Sequence, residues 1–193
     1  MKNILNLGLA LLAVVGLSNC SNSEKTGSEI DSLSADSAME VTQDSVADTA
    51  DAQGDDPKLV YELVESMYGG IAVMKQGEQK ATTPSVKALG TKLATEHTKL
   101  TEELKALATK KNWTLPVGES IDDKGKREEL AKKTGTDYEK AWLEALADRH
   151  KTNIGKLESA KPTDPDLKTA GEMGLPKIKA LLADIEAAQT QVK

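Results

Sequence analysis

Two histidines are the residues of this chain whose type and spacing could support chemistry. His97 shares a predicted helix face with Leu93 and Leu100, and His150 shares another with Leu146. Both side chains are therefore expected to point into the interior of a helical bundle. Imidazole nitrogens bind transition metals and exchange protons near neutral pH, so two inward histidines define the candidate site.

The residues around the histidines exclude a di-iron centre. Such a centre in a helical bundle uses Glu-x-x-His motifs, because residues three apart lie on one helix face. The residues three positions before the histidines are Ala94 and Ala147, and Glu96 lies about 100° around the helix from His97. Two hypotheses stay open. One is a mononuclear metal site formed by His97, His150 and up to one carboxylate from another helix, with Glu96 as the weakest candidate ligand. The other is a buried pair hydrogen-bonded to neighbours or to each other.

No catalytic residues are predicted. The sequence contains no glycine-rich phosphate loop, no Gly-x-Ser-x-Gly turn and no His-Glu-x-x-His motif. A single cysteine excludes an internal disulfide and a metal site built from several thiolates. We therefore predict a protein that is not an enzyme and that uses no cofactor other than a divalent metal at the histidines.

The elements that position the histidines are predicted to be helices throughout. Only 3% of the 193 residues are aromatic and Phe is absent, a composition that disfavours a β-sandwich. Helix-start signals precede four long amphipathic stretches: Asp56-Pro57, Thr83-Pro84, a capping box at Thr136-x-x-Glu139, and Asp164-Pro165. A short charged helix is predicted over residues 122–134. The sequence thus predicts an all-α, up-and-down four-helix bundle over residues 56–193, with this extra helix between the second and third long helices.

Glycines inside two of the long helices allow two interpretations. Gly69-Gly70 lies within the first long helix, and Gly174 lies near Pro176 in the fourth. Glycine disfavours a helix by about 1 kcal/mol relative to alanine, so each position requires a reason. One interpretation is a close helix approach at Gly69-Gly70 and a kink at Pro176. The other is a ligand pocket opened by these irregularities.

The amino terminus has the features of an export signal. A basic start at Lys2 precedes an apolar run over residues 4–17, which is too short to span a bilayer. The run ends at Leu17-Ser18-Asn19-Cys20, which resembles the lipobox of bacterial lipoproteins, and Cys20 is the only cysteine. We therefore predict a lipoprotein signal peptide over residues 1–19 and a lipidated Cys20 that anchors the chain to a membrane.

Residues 20–55 are predicted to form an acidic, disordered tether. Residues 21–55 contain nine acidic residues against one lysine and no aromatic residue, so they cannot bury enough apolar surface to offset the entropy of ordering. The rest of the chain is nearly neutral, and it has no basic face that would indicate nucleic acid as a partner. The protein is expected in the bacterial cell envelope, as an outer membrane lipoprotein that faces the periplasm or the cell surface.

Several short motifs follow one another in the bundle: Gln79-Lys80-Ala81-Thr82-Thr83-Pro84-Ser85-Val86-Lys87, Glu96-His97-Thr98-Lys99-Leu100, Asp137-Tyr138 followed by His150, Asp164-x-Asp166-Leu167-Lys168, and Leu175-Pro176. In this order the chain resembles a bacterial family catalogued as a domain of unknown function, DUF4142, over about residues 56–191. The resemblance implies a secreted or envelope-bound, ferritin-like four-helix bundle without a settled activity. Relatives commonly carry a glutamate near Gly70 and a histidine near Ala180, and this chain has lost both candidate ligands.

The expected function is that of a membrane-anchored envelope lipoprotein with a non-catalytic, ferritin-like binding or stress-related domain. Two alternatives stay open. The first is a mononuclear metal-binding bundle that uses His97 and His150. The second is a structural or oligomerising bundle, because apolar residues at heptad spacing over residues 167–192 could also pack against a partner helix.

Overall fold

The fold is all α, as predicted. A computed structural model describes residues 43–192, with side chains from residue 47 onward; the predicted signal peptide 1–19, Cys20 and the first part of the tether lie outside the described residues. The described residues form six helices and no strand: α1 (Gln43–Gln53), α2 (Asp55–Lys80), α3 (Pro84–Lys111), α4 (Ile121–Ala131), α5 (Gly135–Ser159) and α6 (Pro165–Gln189). The four long helices confirm the predicted bundle, and α4 is the predicted extra helix. No helix within residues 43–192 is both long and apolar enough to cross a bilayer.

Helix α1 corrects the predicted end of the tether. The stretch expected to be disordered up to residue 55 is helical from Gln43 onward. Ala50 is buried, Gln53 Nε2 donates to the carbonyl of Asn112 (3.1 Å), and Gln53 Oε1 accepts from the backbone N–H of Thr114 (2.7 Å). The composition of the acidic stretch did not indicate this helix, because the residues that bind α1 follow the carboxyl end of α3 and are distant in the sequence.

Two helical hairpins joined by one crossover form the bundle. Within each hairpin, α2 with α3 and α5 with α6, the helices run antiparallel. After α3 the chain returns along α2 as α4. Gln76 and Lys80 of α2 donate to the carbonyls of Arg127 and Ala131 of α4. The up-and-down order therefore holds within each hairpin, while the crossover makes α3 and α5 parallel. These two helices lie diagonally across the bundle, each flanked by α2 and α6.

The core consists of apolar layers on both sides of the histidines. Each of the four long helices contributes one residue to the layer on one side, which contains Met74, Leu93, Leu146 and Leu181. Each also contributes one to the layer on the other side, which contains Met67, Leu100, Ile154 and Ile178. The apolar stripe of α6 is thus buried within its own bundle, and His97 and His150 occupy the level between the two layers.

The glycines of α2 allow neighbouring side chains to approach closely. A Cβ added at Gly69 would overlap with the carboxylate of Asp123 in α4, and one added at Gly70 would lie 3.2 Å from Cδ of Arg149 in α5. The interpretation of Gly69-Gly70 as a site of close approach is therefore confirmed. Helix α6 continues through Pro176 to Gln189, so the proline does not end the helix, and the kink at Pro176 stays a prediction.

The helix starts agree with the sequence at α3 and α6 and differ at α2 and α5. At α2 the predicted N-cap at Asp56 is wrong, because this residue already lies within the helix and Gly54 is the N-cap residue. Asp164 caps α6 as expected, because its Oδ1 accepts from the backbone N–H groups of Asp166 (2.9 Å) and Leu167 (3.1 Å). The predicted capping box of α5 is wrong: Thr134 is the N-cap residue and makes no side-chain cap. Glu139 is directed away from its own helix terminus and binds the residues that precede α3.

Candidate functional site

The two histidines meet on the axis of the bundle. His97 projects from α3 and His150 from the diagonally opposite α5, and their Nε2 atoms are 3.0 Å apart. The imidazole rings cross edge to face, with an interplanar angle of 78°. His97 is 4% exposed and His150 is 1% exposed, so the pair is sealed from solvent. The inward placement that the helix periodicity predicted is confirmed.

The hydrogen-bond partners fix which nitrogens carry protons in the neutral pair. His150 Nδ1 lies 2.7 Å from the carbonyl oxygen of Leu146, which can only accept, so Nδ1 carries the proton and donates. His150 Nε2 is then an acceptor, and His97 Nε2 must donate to it. The remaining nitrogen, His97 Nδ1, is an acceptor that is buried and has no partner among the described residues. An unpaired buried acceptor costs roughly 1–3 kcal/mol of folding free energy.

Burial keeps both histidines neutral. Removal from water lowers the pKa of His97 from 6.5 to about 3, and the nearby charges of His150 and Arg149 act in the same direction. Burial also lowers the pKa of His150, against the opposing effect of its hydrogen bond to Leu146. Neither imidazole is therefore a proton donor or acceptor poised for chemistry near pH 7.

Arg149, next to His150 in α5, is a charged residue with several contacts, and it was not among the candidate residues predicted from the sequence. Its Nη2 donates to Asp123 Oδ1 (2.6 Å), and its Nη1 donates to the carbonyl of Ser66 (3.0 Å). The side chain therefore ties α4 and α2 to α5 one residue before His150. Gly69 and Gly70 make room for the side chains of Asp123 and Arg149. This glycine pair is the one feature of the sequence that indicates the contact.

The structure brings His97 and His150 together but keeps Glu96 apart from them. Glu96 lies on the surface, where its Oε1 accepts from Lys99 Nζ (2.7 Å), and this bond lowers the pKa of Glu96. Among the described residues, no three His, Cys, Asp or Glu side chains cluster in a way that could hold a metal. Two nitrogens bound to tetrahedral zinc lie roughly 3.3 Å apart, whereas the pair is at hydrogen-bond distance. The donor set therefore fits a hydrogen-bonded pair better than a metal site.

A second candidate site is an apolar cavity between the long helices. Its volume is about 410 Å³, and aliphatic side chains from α2, α3, α5 and α6 dominate its lining: Leu59, Leu63, Met67, Leu100, Leu104, Leu157, Leu167, Leu175 and Ile178. Gly171 and Gly174 also line it, and a Cβ added at either glycine meets no atom within 4 Å. The alternative interpretation of Gly174, as part of a ligand pocket, therefore agrees with the geometry.

The charged residues of the cavity lie at its rim. Lys161, between α5 and α6, and Lys168, in the first turns of α6, are both exposed and have no ion-pair partner within residues 47–192. Glu103 is matched by Lys177, at 3.9 Å, and Glu172 is exposed without such a partner in the same part of the chain. The two unpaired lysines and the one unpaired glutamate therefore give the rim an unpaired net charge of +1.

A bundle of four long helices, a crossover helix and a buried histidine pair define the class of protein: an all-α helical bundle domain. The chain belongs to the family described as a domain of unknown function (DUF4142), whose model matches residues 41–188. This match extends from just before α1 to the last turn of α6, so the family domain includes all six helices. Searches of curated proteins and of solved structures found no match to the chain.

Proposed function

We propose that this chain is a bacterial envelope lipoprotein whose helical domain binds a small apolar ligand in the cavity between α2, α3, α5 and α6. The cavity carries the proposal. Its size lies within the range of about 300–1,000 Å³ that is usual for small-molecule sites, and its lining is mainly aliphatic. In this proposal the domain is non-catalytic, and the histidine pair is a structural layer of the core.

The bundle connectivity supports a ferritin-like assignment for this binding domain. One long crossover between two helical hairpins is the connectivity of ferritin-like bundles. In such bundles a buried polar site at the centre commonly holds metal, whereas here the central histidines bond to each other. We therefore propose that the ligand of this chain binds in the apolar cavity and not at the histidine pair.

The cavity is tested by filling it from α6. The variant Gly171→Leu/Gly174→Leu places two side chains where the structure has open space, and each change also removes a helix penalty of about 1 kcal/mol. We expect wild type to bind the uncharged fluorophore N-phenyl-1-naphthylamine saturably, and the variant to bind it at least tenfold more weakly while unfolding at a higher temperature.

The matched control for this experiment is Gly155→Leu. Gly155 is a helical glycine in α5, it has nothing within 4 Å of an added Cβ, and it does not line the cavity. This control should bind the fluorophore as wild type does. Unchanged binding by the cavity-filled variant, or no saturable binding by wild type, would contradict the proposed function.

We base the proposed membrane anchoring on Cys20 and on the apolar run that precedes it in the sequence. Two or more acyl chains on one cysteine hold a protein on a membrane stably, since each buried CH₂ contributes about 0.8 kcal/mol. Cys20→Ser should move the full chain from the membrane fraction to the soluble fraction, and it should abolish incorporation of labelled palmitate. The serine variant retains the side-chain volume at this position, so equal membrane retention of both forms would contradict anchoring through Cys20.

A further inference from the structure

We infer that the ligand of the cavity is a single-chain aliphatic carboxylate, with its chain between the leucines of the bundle and its head at Lys161 and Lys168. This inference rests on the proposed ligand-binding function and specifies its chemistry. Three features support it: the volume of the cavity, the separation of its apolar lining from its charged rim, and the sign of the unmatched charge.

The size of the cavity suits a ligand with one alkyl chain. Its volume of about 410 Å³ lies within the range of about 300–1,000 Å³ that is usual for small-molecule sites, and its lining is mainly aliphatic. Dodecanoate, a straight-chain fatty acid, is the probe chosen for this class of ligand.

The polarity of the cavity sets the direction in which the chain enters. Met67, Leu100 and Ile178 line the inner part, and they belong to the buried layer next to the histidines. Lys161 and Pro162 lie in the connection between α5 and α6, at the end of the bundle. A linear amphiphile therefore buries its methyl end toward the middle of the bundle and leaves its head at this connection.

The charges at the rim select an anionic head. Lys161 and Lys168 present two ammonium groups that no carboxylate of the described chain neutralises, whereas Glu103 is already matched by Lys177. Glu172 opposes the two lysines with a single charge. An ammonium group attracts a carboxylate but gains little from an alcohol, so the head should contribute to affinity only when it is ionised.

The experiment is displacement of N-phenyl-1-naphthylamine by dodecanoate and by dodecanol, below their aggregation concentrations. In wild type, dodecanoate should displace the fluorophore at a lower concentration than dodecanol. Lys161→Ala/Lys168→Ala should lower the affinity for dodecanoate by roughly fivefold to tenfold, as expected for exposed ion pairs. The affinity for dodecanol should not change. Glu172→Gln should change dodecanoate affinity in the opposite direction. The control Lys87→Ala/Lys140→Ala removes two exposed lysines outside the cavity. It should leave the affinity for both ligands unchanged.

Chain length provides an independent readout. From octanoate to dodecanoate the affinity should rise by about fourfold per methylene, because each added methylene is buried against the aliphatic lining. Equal displacement by acid and alcohol, with no effect of the lysine changes, would overturn the inference while the proposed binding function stands. Failure of the fluorophore and of both amphiphiles to bind wild type would instead overturn the proposed function itself.

Discussion

Lowering the pH from about 7.5 to about 5 should reduce the free energy of unfolding by about 2 kcal/mol through His97 alone. The pKa of His97 in the folded protein is about 3, against an ordinary value of 6.5. Below pH 6.5 the unfolded chain therefore binds a proton that the folded chain excludes, and stability falls as the pH falls. The pKa of His150 is also lowered, so His150 adds to the loss in the same window.

Chemical denaturation at several pH values between 5 and 7.5, followed by tryptophan fluorescence, measures this effect. The control is His97→Leu/His150→Leu, which removes the only two histidines of the chain and should flatten the curve over this range. Near neutral pH we expect the double variant to be at least as stable as wild type, because it also removes the unpaired His97 Nδ1. A wild-type curve that is flat, or a double variant with the same slope, would contradict the assigned burial and bonding of the pair.

The single variants separate a structural pair from a metal site. His97→Leu alone leaves His150 Nε2 without its donor, so it should be less stable than the double variant, and the two changes should not be additive. Addition of Zn²⁺ at pH 7.5 should leave the stability of wild type unchanged. Stabilisation by Zn²⁺ in wild type and its absence in the double variant would favour the metal-binding alternative over the hydrogen-bonded pair.

The helices and the inward histidines could be predicted because both follow from local pattern. The starts at Pro84 and Pro165 and the 3.6-residue periodicity gave the long helices, and the same periodicity placed His97 and His150 on core faces. To predict that the two imidazoles meet, one must also know that α3 and α5 lie diagonally across the bundle. The crossover of residues 112–134 determines this arrangement, and no local signal encodes its path.

The features that could not be predicted depend on contacts between distant segments. Helix α1 has a composition typical of disorder, and it is held by Gln53 contacts to the end of α3. The cavity arises from how α6 packs between α3 and α5, diagonally across from α2, so Gly174 indicated a pocket without indicating its lining. Composition and periodicity describe one segment at a time, and these features belong to pairs of segments.

Glu139 illustrates the same limit, and its removal should have one of the largest effects on stability. Its Oε1 accepts from the backbone N–H groups of Thr82 (2.6 Å) and Thr83 (2.8 Å), and its Oε2 accepts from Thr83 Oγ1 (2.7 Å). A carboxylate of α5 thereby caps the start of α3, because Thr83 makes no side-chain cap of its own. The S/T-x-x-E pattern predicts that Glu139 caps the start of its own helix, whereas the structure places its carboxylate at the start of α3.

Glu139→Ala should lower the free energy of unfolding by about 3 kcal/mol, since it removes several hydrogen bonds to a charged acceptor. Glu139→Gln keeps one oxygen and should lose about half as much free energy of unfolding. Glu144→Ala, a change at an exposed glutamate on the same helix, should lose little.

The Glu139 carboxylate should also contribute to the acid transition. Burial raises the pKa of Glu139, but the bonds from Thr83 and Thr82 outweigh this effect and hold the pKa below its ordinary value of 4.5. The contribution of this carboxylate is therefore present above pH 4.5 and is lost as the pH falls further, so both Glu139 variants should lack that part of the acid transition. A wild-type level of stability in Glu139→Ala would show that α3 does not need the cap, and the docking of α5 against the start of α3 would then rest on Trp142 and its apolar neighbours alone.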